Sequence, residues 1–574
     1  MTDAIHKVAV PHREFKLGPV FYILLVAIVG FFVLFPLSTL VSSSFQVGIF
    51  GRATHFGFDN WLEPFHSERL AAAIWNTLSL SLTRQVISLA AGILIAWLIA
   101  RTNLPGRQWI EIGFWIALFM PALPVAMSWV LLAGGRNGIL NVWVRDLLPF
   151  VKGPLFNIYS WWGIVWVHLM TSTIPLKVFL LTPAFRNMDA ALEDCARTCG
   201  TGLLRTLWRV VIPILLPSIL VVTLLGMIRA MQAFEIELML GTPAGIDVYS
   251  TVIYRAMKQE PPLYGVGSVL SLIFMALLIP FIMLQQWVVH RHSHAVVGGR
   301  FSARVQDIGI WRWPIFVALV LLLMLMTVLP TVMLTVGSFM KLFGVFNLPQ
   351  IWTTRHWELA LSRSDLLHSL ANTLELGFAS ALLAMTVYSV VAYAIVKARH
   401  VGRQVLDLLT WLPTMIPGIV ISLGFLQMFL ETRALRPLYG TVGALILAVW
   451  VGNMTVGVQV IRGTLLQLSA ELEEASWTSG ASRLRTFFKI IFPLVAPSVI
   501  VVGLQVFATA VSAISLIVLL SSGPNQPLSL LQLSFLEAGQ FEAATIVGLL
   551  VLVITMAAAV LTRLISARFG VERV

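Results

Sequence analysis

Twelve stretches of this chain are long and apolar enough to cross a lipid bilayer, and that leaves few folds open. They lie near 21–43, 74–100, 110–135, 158–183, 210–238, 265–290, 314–338, 372–396, 405–430, 441–461, 490–520 and 541–562. A spanning helix needs about 20 mostly apolar residues, because hydrocarbon offers its backbone N–H and C=O groups no partner outside the helix. Of the 574 residues 58% are hydrophobic and 11% charged, roughly half the charged share of an ordinary soluble domain. The expected fold is all-α and polytopic, with membrane lipid as its solvent. The first apolar stretch is too long for the core of a cleavable signal.

Basic residues set the expected orientation, since Lys and Arg gather in cytoplasmic loops. In the first half, segments 1–19, 101–109, 184–209 and 291–313 hold 13 Lys+Arg in 77 residues, against 7 in 78 for 44–73, 136–157 and 239–264. In the second half, 397–404, 462–489 and 563–574 hold 10 in 48, against 5 in 63 for 339–371, 431–440 and 521–540. Both termini are therefore expected in the cytoplasm, and Lys7, Arg13 and Lys16 mark the first as basic. The net charge of +12 is a topology signal and argues against nucleic acid as a partner. Cys195 and Cys199 share a helix face but have no companion His/Cys cluster, so they read as reduced thiols and no metal site is expected.

The two halves repeat in one direction. "NWLEPFHSERLAAAIWNTL" at 60 matches "HWELALSRSDLLHSLANTL" at 356, aligning Trp61 with Trp357 and Asn76 with Asn372. "SSSFQVGIFG" at 42 matches "VGSFMKLFG" at 336, "RTNLPGR" matches "KARHVGR", and "FMPALP" at 119 matches "WLPTMIP" at 411. A same-direction repeat with matching charge bias needs an even number of spans per half, and six each fits. The expected organisation is a tail at 1–19, one six-helix half at 20–290, a polar linker at 291–313 and a second half at 314–574. Such halves face one another about an axis along the membrane normal.

The strongest match is the most polar. "EDCARTCGTGLLRTLWRVVIPILLP" from Glu193 aligns with "EEASWTSGASRLRTFFKIIFPLVAP" from Glu473 at an offset of 280, and 11 of 29 positions are identical between 190–218 and 470–498. Asp189 is a plausible helix cap, acids lie near the helix start, and Gly200 permits a turn that a Cβ would hinder. Two short helices at an angle are expected, with Glu193 and Asp194 exposed.

These residues resemble the cytoplasmic "EAA" loop of ABC importer permeases: Glu474, Ala475, Ser476, Gly480, Ile490 and Pro493 in the second copy, Asp194, Cys195, Ala196, Gly200, Val210 and Pro213 in the first. The first copy departs from the pattern with Asp for Glu and Cys for the first Ala. The resemblance is to a fused pair of type I permease halves and covers nearly the whole chain. It implies two cytoplasmic ATPase subunits, each docking one loop, and an extracytoplasmic solute-binding protein. Asp194 and Glu474 are the first candidates for ATPase contacts, Glu193 and Glu473 the second, and Gly200 and Gly480 set the joints. The chain has no Gly-Lys dipeptide and hence no P-loop, so ATP and Mg belong to the partner and the chain itself is not an enzyme.

Ionisable residues inside spans are pathway candidates: Arg229, Glu235 and Glu237 late in the fifth span, Arg84 in the second and Glu375 in the eighth. The matching stretch of the second half has no charges, leaving Thr509, Ser512 and Ser515 as a polar wall. The fused arrangement resembles importers of iron(III), the lead, and of thiamine, aminophosphonate or polyamine. A secondary transporter driven by an ion gradient is the rival class.

Overall fold

The computed structural model describes residues 19–48, 54–66, 68–135, 137–148, 150, 153–292, 305–397, 402–469 and 471–569. The basic tail before Pro19, the middle of the linker at 293–304 and residues 398–401 of "KARHVGR" lie outside them.

The principal helices of the first half are α1 (Pro19–Ser44), α2 (Glu68–Arg101), α3 (Arg107–Leu118), α4 (Ala122–Ala133), α5 (Trp161–Arg186), α6 (Ala190–Thr198), α7 (Leu203–Met231), α8 (Tyr249–Met257) and α9 (Tyr264–His292). The second half repeats the series as α10 (Gly309–Phe339), α11 (Ser364–Lys397), α12 (Gly402–Trp411), α13 (Gly418–Glu431), α14 (Val442–Gln467), α15 (Glu471–Thr478), α16 (Phe487–Val511), α17 (Leu528–Glu537) and α18 (Phe541–Phe569). Among the described residues ten helices are long and apolar enough to span a bilayer, and two bent pairs bring the number to as many as twelve.

Those pairs correct the sequence reading at 110–135 and 405–430. Each is two helices, bent by 99° between α3 and α4 and by 110° between Gly402–Met415 and α13. Prolines make the breaks: Pro121 and Pro417 stand before the second helix of each pair in extended conformation.

Proline also explains a second departure from regular helix. Five π turns occur among the described residues, at Leu169–Thr173, Leu207–Val211, Glu237–Gly241, Met324–Val328 and Phe487–Ile491. Each ends two residues before a proline: Pro175, Pro213, Pro243, Pro330 and Pro493. A proline has no N–H for the carbonyl four residues back, and the ladder widens to absorb the loss.

The repeat extends to individual contacts. Trp61 tilts 31° against Phe45 and Trp357 tilts 31° against Phe339. Asn76 donates to the carbonyl of Asp247, and Asn372 to those of Pro524 and Gln526. Thr77 accepts from the N–H of Tyr249, and Thr373 from that of Leu528. These side chains tie the second span of each half to the loop that follows its fifth.

The two halves are interlocked. Helix α1 packs on α13, where Thr39 hydrogen-bonds to Gly424 O and an added Cβ at Gly424 would lie 2.9 Å from Pro36 O. Helix α10 packs on α4, where Ser128 donates to Pro330 O at 2.8 Å. Each half thus lends its first helix to the other half's bent span, and each of the two large apolar cores draws on both halves. Rocking one half must carry a helix of the other with it.

Candidate functional site: matched corners and an off-centre polar cluster

In the first corner, Asp189 Oδ1 accepts from the N–H of Ala191 and caps α6, as its sequence position suggests. The helix ends at Gly200 with φ +79°, and the N–H of Thr201 returns to the carbonyl of Ala196. In the second, Gly480 has φ +82° and the N–H of Ala481 returns to Ser476 O. Both are left-handed glycine C-caps, the geometry in which a Cβ is disfavoured. A hydroxyl pair braces each corner: Thr206 with Thr201, and Thr486 with Ser476. Immediately beyond each lies a π turn leading to Pro213 or Pro493, so the two corners match down to their backbone irregularities.

Open space surrounds both glycines, so Ala substitution tests backbone strain alone. Gly200→Ala and Gly480→Ala should each destabilise the purified protein by about 1–2 kcal/mol and lower its Tm. Gly463→Ala is the control. Gly463 lies within α14 with nothing near a Cβ, and the change should be neutral or stabilising. Equal effects at all three sites would contradict strained joints.

The acids of the first corner are not equivalent, which corrects the expectation that Glu193 is exposed. Glu193 is 2% exposed and pairs with Arg101 at 2.9 Å, with Arg101 fully buried. Arg101 also donates to Met188 O, and Gln306 of the linker donates to the same carboxylate. Gln306 exchanges backbone hydrogen bonds with Arg101 and Asn103. Glu193 is therefore the pin that fixes α6 to the end of α2, with the linker laid over it. Glu473 is buried as well, while Asp194 is half-buried and Glu474 exposed. Cys195 on α6 and Cys199 in the turn that ends it are exposed free thiols.

The spanning region carries a second polar group. Arg84 meets Glu237 at 2.9 Å and His168 meets the same carboxylate oxygen at 2.8 Å, with Arg84 and Glu237 almost wholly buried. Two pathway candidates are thus each other's partners, and the network holds α2, α5 and the π turn after α7 together. The repeat places Ser380, Ala448 and Ile517 at the positions of Arg84, His168 and Glu237, so the network exists in the first half alone.

Glu235 lies elsewhere. Its carboxylate accepts from the backbone N–H of Ser515 at 3.3 Å. Ser515 is the residue 280 positions on, the repeat mate of Glu235 itself. A residue that touches its own mate stands on the pseudo-twofold axis. Gln232 crosses the same boundary to the carbonyl of Thr414. The halves are closed against each other at this level. Two turns closer to the corners, Arg229 is exposed and makes no hydrogen bond or ion pair among the described residues.

The remaining candidates separate. Thr509 donates to Asn453 and Ser512 to the carbonyl of Ala508 in its own helix, so both hydroxyls are already engaged. Glu375 sits on the face of α11 that also exposes Phe378 and Leu382. Among the described residues no group of three or more His, Cys, Asp or Glu could hold a metal. The structure adds Arg101, Gln306, His168 and Lys177. Lys177 and His168 are ionisable residues within a span, so the rule that selects Arg229 would have selected them too.

On the far side of the axis seal, a cleft of about 430 Å³ opens between the halves, lined by Tyr254, Arg255 and Lys258 of the first and Glu537 of the second. Tyr254 and Lys258 both bind the Glu537 carboxylate, at 2.7 and 3.3 Å. Burial and the neighbouring Glu537 push the Tyr254 hydroxyl above the usual tyrosine range, so it donates to the carboxylate.

The family model of the binding-protein-dependent transport system inner membrane component matches the chain twice, over 89–294 and 387–571. The chain belongs to this family. It is a multi-pass inner-membrane transport subunit built from two fused copies of the permease unit. It is 24% identical to a probable ABC transporter permease of Sinorhizobium fredii, with 98% of both chains covered. It is also 24% identical to the ferric transport system permease of Actinobacillus pleuropneumoniae, over 95% of this chain and 77% of that one. The molybdenum transport system permease of Escherichia coli is 28% identical and aligns with 38% of this chain and 91% of its own.

Proposed function

We propose that the chain is the membrane channel of an ATP-driven importer, receiving a small solute from an extracytoplasmic binding protein and releasing it into the cytoplasm. The observation that carries this reading is the pair of matched corners on one end of a chain that has no nucleotide motif of its own. Each corner docks one of two cytoplasmic ATPase subunits, which hold the ATP and Mg. Both termini and both corners then lie in the cytoplasm, as the basic-residue counts suggest.

Closure of the ATPase pair draws the corners together. Rigid glycine caps and the Arg101–Glu193 pin pass that motion to α7 and α16, whose far ends meet at Glu235 and Ser515. Opening there joins the cleft on the far side to the corner side of the seal, where Arg229 is exposed. Alternating access is thus a contest between the axis seal and the corners. Iron(III) is the lead solute, supported by the resemblance of the whole chain to a ferric permease. Thiamine, aminophosphonates and polyamines are the alternatives from the fused arrangement. The molybdenum permease match widens the range of cargo among relatives.

The chain's two cysteines supply a direct test, because both lie exposed in the first corner. A membrane-impermeant maleimide should leave intact cells unlabelled and label inside-out vesicles. Adding the ATPase subunits should slow that labelling several-fold. Labelling of intact cells, or an unchanged rate with the ATPase bound, would overturn the proposed orientation or docking.

A further inference from the structure

Beside the Arg84–Glu237–His168 network lies a pair of cations that the coupling scheme does not use. Lys177 of α5 is 1% exposed and makes no hydrogen bond or ion pair among the described residues. Its ammonium converges with the Gln85 amide on Gly226 of α7. An added Cβ there would stand 2.9 Å from Lys177 Nζ and 2.6 Å from Gln85 Oε1. The Gln85 amide nitrogen is held by Thr223 O, while its oxygen is buried without a donor. Arg229 is three residues from Gly226 along α7, and both it and Arg84 lie within electrostatic reach of Lys177. The acids nearby are committed elsewhere: Glu237 to Arg84 and His168, Glu235 to the backbone of Ser515 across the axis.

An unneutralised lysine beside an unneutralised arginine within a membrane span is costly unless something negative visits them. The repeat shows that the fold does not require them. Gly92 receives the stem of Lys177, and an added Cβ would lie 2.4 Å from its Cβ. In the second half the bulk is exchanged: Tyr388 stands at the position of Gly92 and packs on Gly457, which stands at that of Lys177. Gln85 and Arg229 are replaced there by Ala381 and Thr509. The same helix packing is thus built once with an aromatic and once with a cation, and only the first half carries the charges.

We infer that Lys177 and Arg229 form an anion-binding station on the translocation path, so that the solute crosses as an oxyanion or as an anionic complex. This rests on the importer reading and narrows its substrate class. A bare trivalent cation would be repelled here, so an iron cargo would pass as a negatively charged chelate. The station lies on the corner side of the axis seal. It would hold an anion after the seal has passed it and before release.

The test is thermal unfolding of the full chain with its ATPase subunits, followed by tryptophan fluorescence at constant ionic strength. Sulfate, phosphate, molybdate and iron(III) citrate are titrated against chloride. At least one of the four should raise Tm saturably, and Arg229→Gln and Lys177→Gln should each weaken its apparent affinity about tenfold or more. Arg229→Lys should retain most of it. Arg229 is exposed, so its variant remains informative if Lys177→Gln folds poorly. No stabilisation by any of the four, or an equal shift in wild type and Arg229→Gln, overturns the station. Saturable, Arg229-dependent stabilisation with no ATP-driven uptake of the same anion would show an anion site off the translocation path and overturn the station, while ATP-driven uptake of some other solute would leave the importer reading standing.

Discussion

Glu193→Ala should be among the most damaging single substitutions outside the spanning region. It strands the fully buried Arg101 guanidinium, and breaking a buried pair by removing one partner costs about 3–5 kcal/mol. It also frees α6 from the end of α2 and removes the acceptor of Gln306, so the first corner loses its base. The purified variant should unfold at a markedly lower temperature. The double substitution Arg101→Met/Glu193→Leu removes both charges and should recover most of that stability. Uptake should stay low in the single variant even at temperatures where it is folded, because a loose corner absorbs motion instead of transmitting it. A Glu193→Ala protein with unchanged Tm would show that the pair does not anchor α6.

That result bears on what the sequence could reveal. The spans, their number and the tandem repeat were legible because each depends on composition or on local self-similarity. The glycine joints were legible for the same reason: Gly200 and Gly480 recur at one offset, and φ near +80° is a local demand. The exposure of Glu193 was not. Two adjacent acids at a helix start look alike in sequence, and the residue that separates them, Arg101, lies 92 positions away. The exchange of first helices between halves was hidden too, because α1 and α10 are apolar all round and carry no stripe that names a partner. Breaks at Pro121 and Pro417 fall inside continuous apolar runs, where hydropathy sees one span.

The polar site divides along the same line. That Arg84, Glu237 and Arg229 matter followed from their being charges in a membrane. That the first two neutralise each other while the third makes no hydrogen bond or ion pair among the described residues follows only from packing. The identity in number between Glu235 and Ser515, 280 apart, was present in the sequence as a repeat position. Its meaning as an axis contact needed the structure.

In the proposed importer, two separate corners carry the work of an external ATPase. Asp194 and Glu474 occupy the acid position of the two motifs, one half-buried and one exposed. Reversing one charge leaves the other corner to hold the ATPase pair, so a single variant should lose part of its activity. Reversing both should be far worse. An exposed charge contact contributes roughly 0.2–1 kcal/mol, but like charges brought together at a partly desolvated interface repel more strongly. The chain should still insert normally, since these residues lie outside the spanning helices. The deciding measurement is ATP-driven solute uptake into proteoliposomes containing the Asp194→Lys/Glu474→Lys chain, its ATPase subunits and its binding protein, with ATPase co-purification scored on the same preparation. Normal insertion, reduced co-purification and no uptake are expected. Full ATPase binding with uptake at the wild-type rate would contradict that role for the corners.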